Sequence, residues 1–229
     1  MALAIFDLDN TLIGGDSDYL WGAYLTEHGI VDEDEFQREN ERFYREYKEG
    51  SLDIYEFLRF SFRALRDNRA EDLERWRSDF LREKIDPIIL PQARKLVEHH
   101  REAGDELLII TATNEFVTAP IAERLGIPNL IATVPAQSNG HYTGEVTGIP
   151  SFQEGKVARL LDWLQGTHAE LAGSTFYSDS HNDMPLLERV DHPVAVDPDD
   201  HLERHARERG WPIISLRGSD SNPAIQNQT

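Results

Sequence analysis

The stretch that decides the fold is Ala4-Ile5-Phe6-Asp7-Leu8-Asp9-Asn10-Thr11. An unbroken apolar run enters two carboxylates at i and i+2, followed by Asn and Thr. Apolar residues without alternation, closed off by turn formers, mark a strand covered on both faces, as in a parallel sheet. The pattern returns at 106–110, entered through Gly104-Asp105, and at 130–134, 174–177, 193–196 and 212–215. Helical patterns at 91–103, 116–125, 152–164 and 199–209 lie between these runs. Alternating β and α segments predict an α/β fold, a doubly wound, Rossmann-like parallel sheet. Ser138-Asn139-Gly140-His141, flanked by Thr- and Val-rich segments, adds a small β-hairpin.

Between the first and second apolar runs, about a hundred residues show no strand pattern, too many for a βα loop. Segments 19–27, 32–48, 53–65 and 70–82 are amphipathic and highly charged, with Gly50 and Asp67-Asn68-Arg69 as breaks. Phe36, Phe43 and Tyr47 stand seven and four residues apart, the spacing of one buried helix face. The division that follows is a core at 1–14 and 87–218, a helical cap inserted after the first strand at 15–86, and a flexible polar tail at 219–229.

The chain has 229 residues, 39% of them hydrophobic, which suffices for a sizeable core. With 23 Lys and Arg against 42 Asp and Glu its formal charge is −19, which argues against gripping nucleic acid or an anionic membrane through bulk electrostatics. No cysteine is present, so disulfides, thiolate metal sites and a cysteine nucleophile are excluded. The start of the chain has no signal-peptide pattern and no apolar run is long enough to span a bilayer, so a soluble cytoplasmic protein is expected.

Two carboxylates leaving a buried strand repel each other unless something positive stands between them. Asp7-Leu8-Asp9-Asn10-Thr11 suits an Asx- and Thr-rich turn as well as a catalytic pair, while a calcium loop lacks its Gly and distal Glu. Thr111-Ala112-Thr113, where the second strand is expected to give way to a helix, could hold a phosphate on its N–H groups or simply cap the helix. Lys156 opens a helix against the dipole, as a solvated lysine or as a cation for the site. Ser178-Asp179-Ser180-His181-Asn182-Asp183 places two more carboxylates beyond a strand. His28, His99, His100, His141, His192, His201 and His205 have no ligand spacing and read as surface.

Taken in order, Asp-x-Asp-x-Thr, a strand ending in Thr, a Lys, and Asp-x-x-x-Asp resemble the four motifs of the haloacid dehalogenase-like phosphatase superfamily, over essentially the whole chain. The helical insert and the hairpin before Lys156 resemble its phosphoserine phosphatase-like branch, subfamily IB, which includes histidinol phosphatases. The resemblance implies that Asp7 is the nucleophile forming an aspartyl-phosphate and Asp9 the general acid and base. Mg²⁺ would be held by Asp7, the Asp9 carbonyl and Asp179. Thr111, Ala112, Thr113 and Lys156 would bind the phosphoryl group, with Asn182 and Asp183 supporting the site from behind.

In phosphoserine phosphatases a Glu nine residues past the nucleophile meets the substrate amine, a position held here by Asp16, with Asp18 nearby. Their cap Arg, which holds the substrate carboxylate, aligns with Ser61; Arg59 and Arg63 are offset by two, about 200° around a helix. Thr-Ala-Thr also replaces a roomier Ser-Gly-Gly. The implied substrate is therefore a small amine-bearing phosphomonoester without a carboxylate, histidinol phosphate being the best match. A phosphoserine phosphatase, a phosphotransferase or phosphomutase, and an uncapped signalling receiver domain are the alternatives.

Only Lys48, Lys84, Lys95 and Lys156 are lysines. Should the acidic, Arg-rich composition reflect adaptation to salt, which screens the repulsion of a −19 surface, the melting temperature will climb as KCl is raised to molar concentration. A flat curve would refute this.

Overall fold

A computed structural model describes residues 2–49 and 51–218. The chain begins with β1 (Leu3–Phe6), followed by α1 (Ser17–Glu27), α2 (Glu33–Glu49), α3 (Ile54–Ser61), α4 (Arg63–Asp67) and α5 (Ala70–Phe80). It continues through α6 (Pro91–Ala103), β2 (Glu106–Asn114), α7 (Glu115–Leu125), β3 (Asn129–Ser138), β4 (His141–Thr147) and α8 (Glu154–Gln165). It ends with β5 (Thr175–Ser178), α9 (Met184–Leu187), β6 (His192–Val196), α10 (Asp200–Arg209) and β7 (Ile213–Ile214). The predicted tail at 219–229 and the break at Gly50 lie outside the described residues. Among the described residues, no helix is long and apolar enough to cross a membrane.

All strands form one sheet in the order β4-β3-β2-β1-β5-β6-β7, parallel except for β4, so the doubly wound reading holds. Winding reverses between β1 and β5, and in open α/β sheets ligands bind beyond the carboxyl ends of strands at such a reversal. Two faces of β1 explain its unbroken apolar sequence. Leu3 and Ile5 join Leu108, Ile110, Val157 and Leu160 on the α8 side. Ala4 and Phe6 join Leu107, Ile109, Leu96 and Val117 on the α6 and α7 side. This second cluster continues without a break into Trp21, Tyr24, Phe62 and Phe80 of the helical insert.

The hairpin forms as its Asn-Gly signal predicts. Asn139 and Gly140 have φ of 50° and 78°, the pair of positive values that a two-residue turn of this kind requires.

Several local expectations change. The second strand does not stop near residue 111: Thr111-Ala112-Thr113-Asn114 continues β2, with a register shift against β3 between Ile110 and Asn114, and α7 starts at Glu115 under an Asn114 cap. The helix predicted at 53–65 breaks at Phe62 into α3 and α4. α5 passes into a π-helical turn at Leu81–Ile85. His100 is not at the surface. It shares the inner stripe of α6 with Ala93, Leu96 and Val97, and its ring nitrogens lie 2.7 Å from Asp105 Oδ2 and 2.8 Å from the Tyr177 hydroxyl. These two partners make the burial of a polar ring tolerable.

The start of α8 depends on a glycine. A Cβ on Gly155 would stand 2.1 Å from the Pro150 carbonyl oxygen, a backbone atom that cannot turn aside. Gly155→Ala should lower unfolding free energy by about 1–3 kcal/mol through overpacking. Urea denaturation measures this, and an unchanged midpoint would count against the close approach.

Candidate active site

Four chain segments meet beyond the carboxyl edge of the sheet. Asp7 follows β1 directly, its N–H donating to the Tyr177 carbonyl of β5 at 2.9 Å, so the ladder that aligns the two strands fixes its backbone. Asp179 follows β5. Thr11 ties the two loops together: its fully buried hydroxyl accepts from Asp179 N–H at 3.1 Å and lies 3.3 Å from both Asp7 Oδ2 and Asp179 Oδ1.

Lys156 enters from the first turn of α8. Its Nζ donates to Asp7 Oδ1 at 2.8 Å and lies 2.7 and 2.8 Å from the two oxygens of Asp183. Lys156 is 3% exposed, Asp7 6% and Asp183 3%, so water stabilises none of these charges. Burial would push the Lys156 ammonium down, but Asp183 and Asp7 outweigh it and hold the group above the ordinary lysine range. Burial pushes the Asp7 carboxyl up to about 7 against the pull of Lys156, with Asp183 and Asp9 adding to the rise. Asp183 also accepts the Ser178 hydroxyl at 2.7 Å.

Asp9 is held on both oxygens. Oδ1 accepts the Ser17 N–H at 2.7 Å, and Oδ2 accepts the Thr113 hydroxyl at 2.7 Å and that of Thr111 at 3.4 Å. Burial, and next the charge of Asp16, push its carboxyl up to about 6, within the range useful to a group that gives and takes protons. Burial, Asp7 and Asp183 also raise Asp179 well above the usual carboxylate range.

Asp7, Asp9, Thr111, Thr113, Lys156, Asp179 and Asp183 therefore come together. Ala112 sits in the same strand, its carbonyl accepting the Thr133 hydroxyl at 2.7 Å. Asn182 accepts the Gln153 amide at 2.8 Å. Asp16 is exposed and caps α1, Oδ1 accepting the N–H groups of Asp18 and Tyr19 at 3.0 and 2.9 Å, while its charge still reaches Asp9. Its neighbour Asp18 turns toward the site, accepting the Ser61 hydroxyl at 3.0 Å and the Asn114 amide at 3.3 Å. Burial pushes Asp18 up to about 6 despite these bonds. Arg63 is drawn away to Glu35 at 2.7 Å, and Arg59 is exposed.

Sequence reasoning missed the contacts that join insert to core. Tyr47, read there as part of a buried helix face, lies 2.7 Å from Ser180 Oγ in the loop after β5. Asn114, at the end of β2, donates its amide to Asp18. Only the helical spacing of Tyr47 hinted at a contact, without saying with what.

Four carboxylates, Asp7, Asp9, Asp179 and Asp183, thus share one ammonium. Among the described residues no three His, Asp or Glu side chains gather as a metal cluster, so side chains alone supply no closed cage. The available donors are all oxygen, with Asp7 and Asp179 linked through Thr11 and no cation touching Asp179. That set fits a hard divalent cation whose remaining positions go to water and phosphate.

The raised carboxyls set a pH dependence. In the folded state Asp7 (about 7), Asp9 and Asp18 (about 6) take up protons well above their ordinary 3.8, whereas unfolded chains stay ionised. In EDTA the melting temperature should therefore rise as pH falls from about 7.5 to about 5, because the folded state binds more protons there. Differential scanning fluorimetry measures it; a steady fall over that interval would contradict the assignment.

The chain as a whole is similar to known proteins. Residues 4–188 match the haloacid dehalogenase-like hydrolase family. A histidinol-phosphatase of Neisseria meningitidis serogroup C is 48% identical over 94% of this chain and 99% of its own. A phosphoserine phosphatase of Mycobacterium tuberculosis, SerB1, is 33% identical over 94% of this chain and 71% of its own. Among solved structures, a Bordetella pertussis protein of unknown function superimposes with TM-score 0.88 at 43% identity, covering 94% of this chain and 98% of that one. A substrate-bound phosphoserine phosphatase shares the fold at TM-score 0.68 and 18% identity, covering 96% and 94%. With the motifs in place around Lys156 and the family matched across most of its length, this chain belongs to the haloacid dehalogenase-like hydrolases.

Proposed function

We propose that the chain is a Mg²⁺-dependent phosphomonoesterase that works through an aspartyl-phosphate, with segment 15–86 as its cap and histidinol phosphate as its substrate. The observation that carries the chemistry is the buried contact of Asp7 with Lys156, backed by Asp183. An Asp7 oxygen attacks phosphorus while the bond to the leaving oxygen breaks, and Asp9 passes its proton to that oxygen. Asp9 then takes a proton from the water that attacks the phosphoryl group, phosphate leaves, and Asp7 is restored. Ser17 N–H and Thr113 keep the Asp9 carboxyl in one orientation through both steps. Lys156 offsets charge on the phosphoryl oxygens, with Thr111, Ala112 and Thr113 at their side.

Members of this family generally use Mg²⁺. Asp7, Asp179 and the Asp9 carbonyl would hold it here, and when bound it would neutralise charge on the phosphate that the acidic pocket otherwise repels. Asn182 and Asp183 support the site from behind, Asp183 by fixing Lys156.

Two observations favour an amino-alcohol phosphate. The Neisseria relative is a histidinol-phosphatase by name, at 48% identity. Where a substrate carboxylate would need a guanidinium, the cap presents Ser61 bonded to Asp18, while Arg63 is committed to Glu35. Phosphoserine, suggested by the Mycobacterium relative, would bring a second anion to an acidic wall.

Steady-state assays with Mg²⁺ should give a higher kcat/KM on histidinol phosphate than on phosphoserine, with free phosphate released and no acceptor required. Comparable or better turnover of phosphoserine would overturn the substrate. Asp7→Asn should retain below about a hundredth of wild-type activity while keeping its fold, as loss of a covalent nucleophile dictates.

A further inference from the structure

Among the described residues, positive φ falls on Gly, Asn or Asp everywhere except at Gln153. Gln153 has φ 49° and ψ −123°, the conformation of the first central residue of a type II′ turn. The turn spans 152–155 and is closed by the Gly155 N–H, which donates to the Phe152 carbonyl at 2.8 Å. It leads straight into α8, whose third residue is Lys156. Such a position calls for glycine, because a Cβ there crowds the neighbouring backbone. Strained backbone of this kind gathers at functional sites, where other contacts hold it in place.

The contact that uses the Gln153 side chain is its amide, which donates to Asn182 Oδ1 at 2.8 Å. Asn182 is 6% exposed and is fixed in turn. Its backbone N–H and its amide nitrogen both donate to Ser180 Oγ, at 3.2 and 3.4 Å, which leaves Oδ1 facing Gln153. The Tyr47 hydroxyl of the insert lies 2.7 Å from the same Ser180 oxygen. Asn182 belongs to the short helical turn His181–Asp183, and the next residue along it, Asp183, holds Lys156.

The start of α8 is therefore tied to one turn at two points. Lys156 meets Asp183 in the interior, and Gln153 meets Asn182 at the rim. The ion pair alone would fix little, since the flexible four-carbon stem of a lysine lets its ammonium stay on a carboxylate while the helix rocks. A second point of attachment, three residues earlier in the chain, removes that freedom. Lys156 has to serve Asp7 and then the phosphoryl group transferred to it, so the aim of its ammonium bears directly on the barrier.

Resting on the reading of the chain as a phosphatase that works through an aspartyl-phosphate, we propose that Gln153 is a positioning residue. It clamps the start of α8 to the turn 181–183 through Asn182, and so keeps Lys156 aimed at the reacting centre, despite the backbone strain it brings. It acts through Asn182 and not on the substrate.

Two variants separate side chain from backbone. Gln153→Met keeps the strained Cβ and removes the amide, whereas Gln153→Gly removes both. With p-nitrophenyl phosphate and Mg²⁺, each should lower kcat about tenfold while KM stays within about twofold, since Lys156 is misplaced rather than lost. Gln153→Gly should nevertheless melt about 2–4 °C higher than wild type, because its backbone is at ease in the turn, and Gln153→Met should not. A merely structural contact would lose stability and activity together. Adding Gln153→Met to Asn182→Ala should change kcat by less than about twofold, since both break one contact. Full kcat in either Gln153 variant, or a combined loss equal to the product of the single losses, overturns the proposal.

A signal from Lys156 itself separates the clamp from the reading beneath it. The chain has only four lysines, so its ammonium can be followed by nitrogen NMR and assigned through Lys48→Arg, Lys84→Arg and Lys95→Arg. Buried between Asp7 and Asp183, it should exchange protons with water slowly in wild type and at least about tenfold faster in Gln153→Met. Faster exchange in a protein that hydrolyses no phosphomonoester would overturn the phosphatase reading and leave the clamp standing. Hydrolysis with exchange unchanged in both Gln153 variants would overturn the clamp and leave that reading standing.

Discussion

The site rests on one buried ammonium. Lys156 sits between Asp7 and Asp183 with almost no access to water, and two further carboxylates, Asp9 and Asp179, crowd the same edge of the sheet. Desolvating these charges is costly, and removing one partner of such a pair typically loses about 3–5 kcal/mol. The arrangement therefore holds only if the end of β1, the end of β5 and the start of α8 are fixed together. Several features of the chain act to that end. Thr11 joins the first two, and Gly155 lets α8 approach the Pro150 carbonyl. Gln153, at φ 49° just ahead of the helix, accepts a backbone conformation that L residues rarely adopt. Strain of this kind persists where surrounding contacts over-determine the backbone.

What could be read from the sequence follows from where burial is complete. β1, β5 and β6 are covered on both faces, so their apolar runs declare them, and the acidic residues that follow fall at the sheet edge by geometry alone. The four motif positions needed only their order. β2 was harder. Its last residues, Thr111-Ala112-Thr113-Asn114, carry turn chemistry, and their extended form depends on pairing with β3 across a register shift, a long-range contact that no local pattern encodes. His100 was misread for a related reason: a polar ring on the buried stripe of α6 is stable only because Asp105 and Tyr177 happen to meet it.

The cap was legible as a set of helices but not as a surface. Periodicity places Phe36, Phe43 and Tyr47 on one face of α2, yet only Phe43 is fully buried; Phe36 closes on Gly22 and Tyr47 crosses to Ser180. Which of two nearby aspartates faces inward was equally hidden. Asp16 precedes α1 in extended backbone and caps its start, whereas Asp18, in the first turn, reaches Ser61 and Asn114. Insert and core meet through these polar contacts and through the continuous apolar cluster of Trp21, Tyr24, Phe80 and Phe116.

α1 has two attachments that bear on how such a protein can change over evolutionary time. Its first residue, Ser17, grips Asp9 through a backbone N–H, while Asp18, Trp21, Gly22 and Leu25 on the same helix line a cavity within the helical insert. Sliding or tilting the helix to admit a differently shaped ligand would drag the Asp9 carboxyl with it. New preferences should therefore arise by exchanging side chains on α2, α3 and α4, which can be replaced without disturbing that grip. Relatives that diverge in what they accept would then keep the path of α1 and vary the wall opposite.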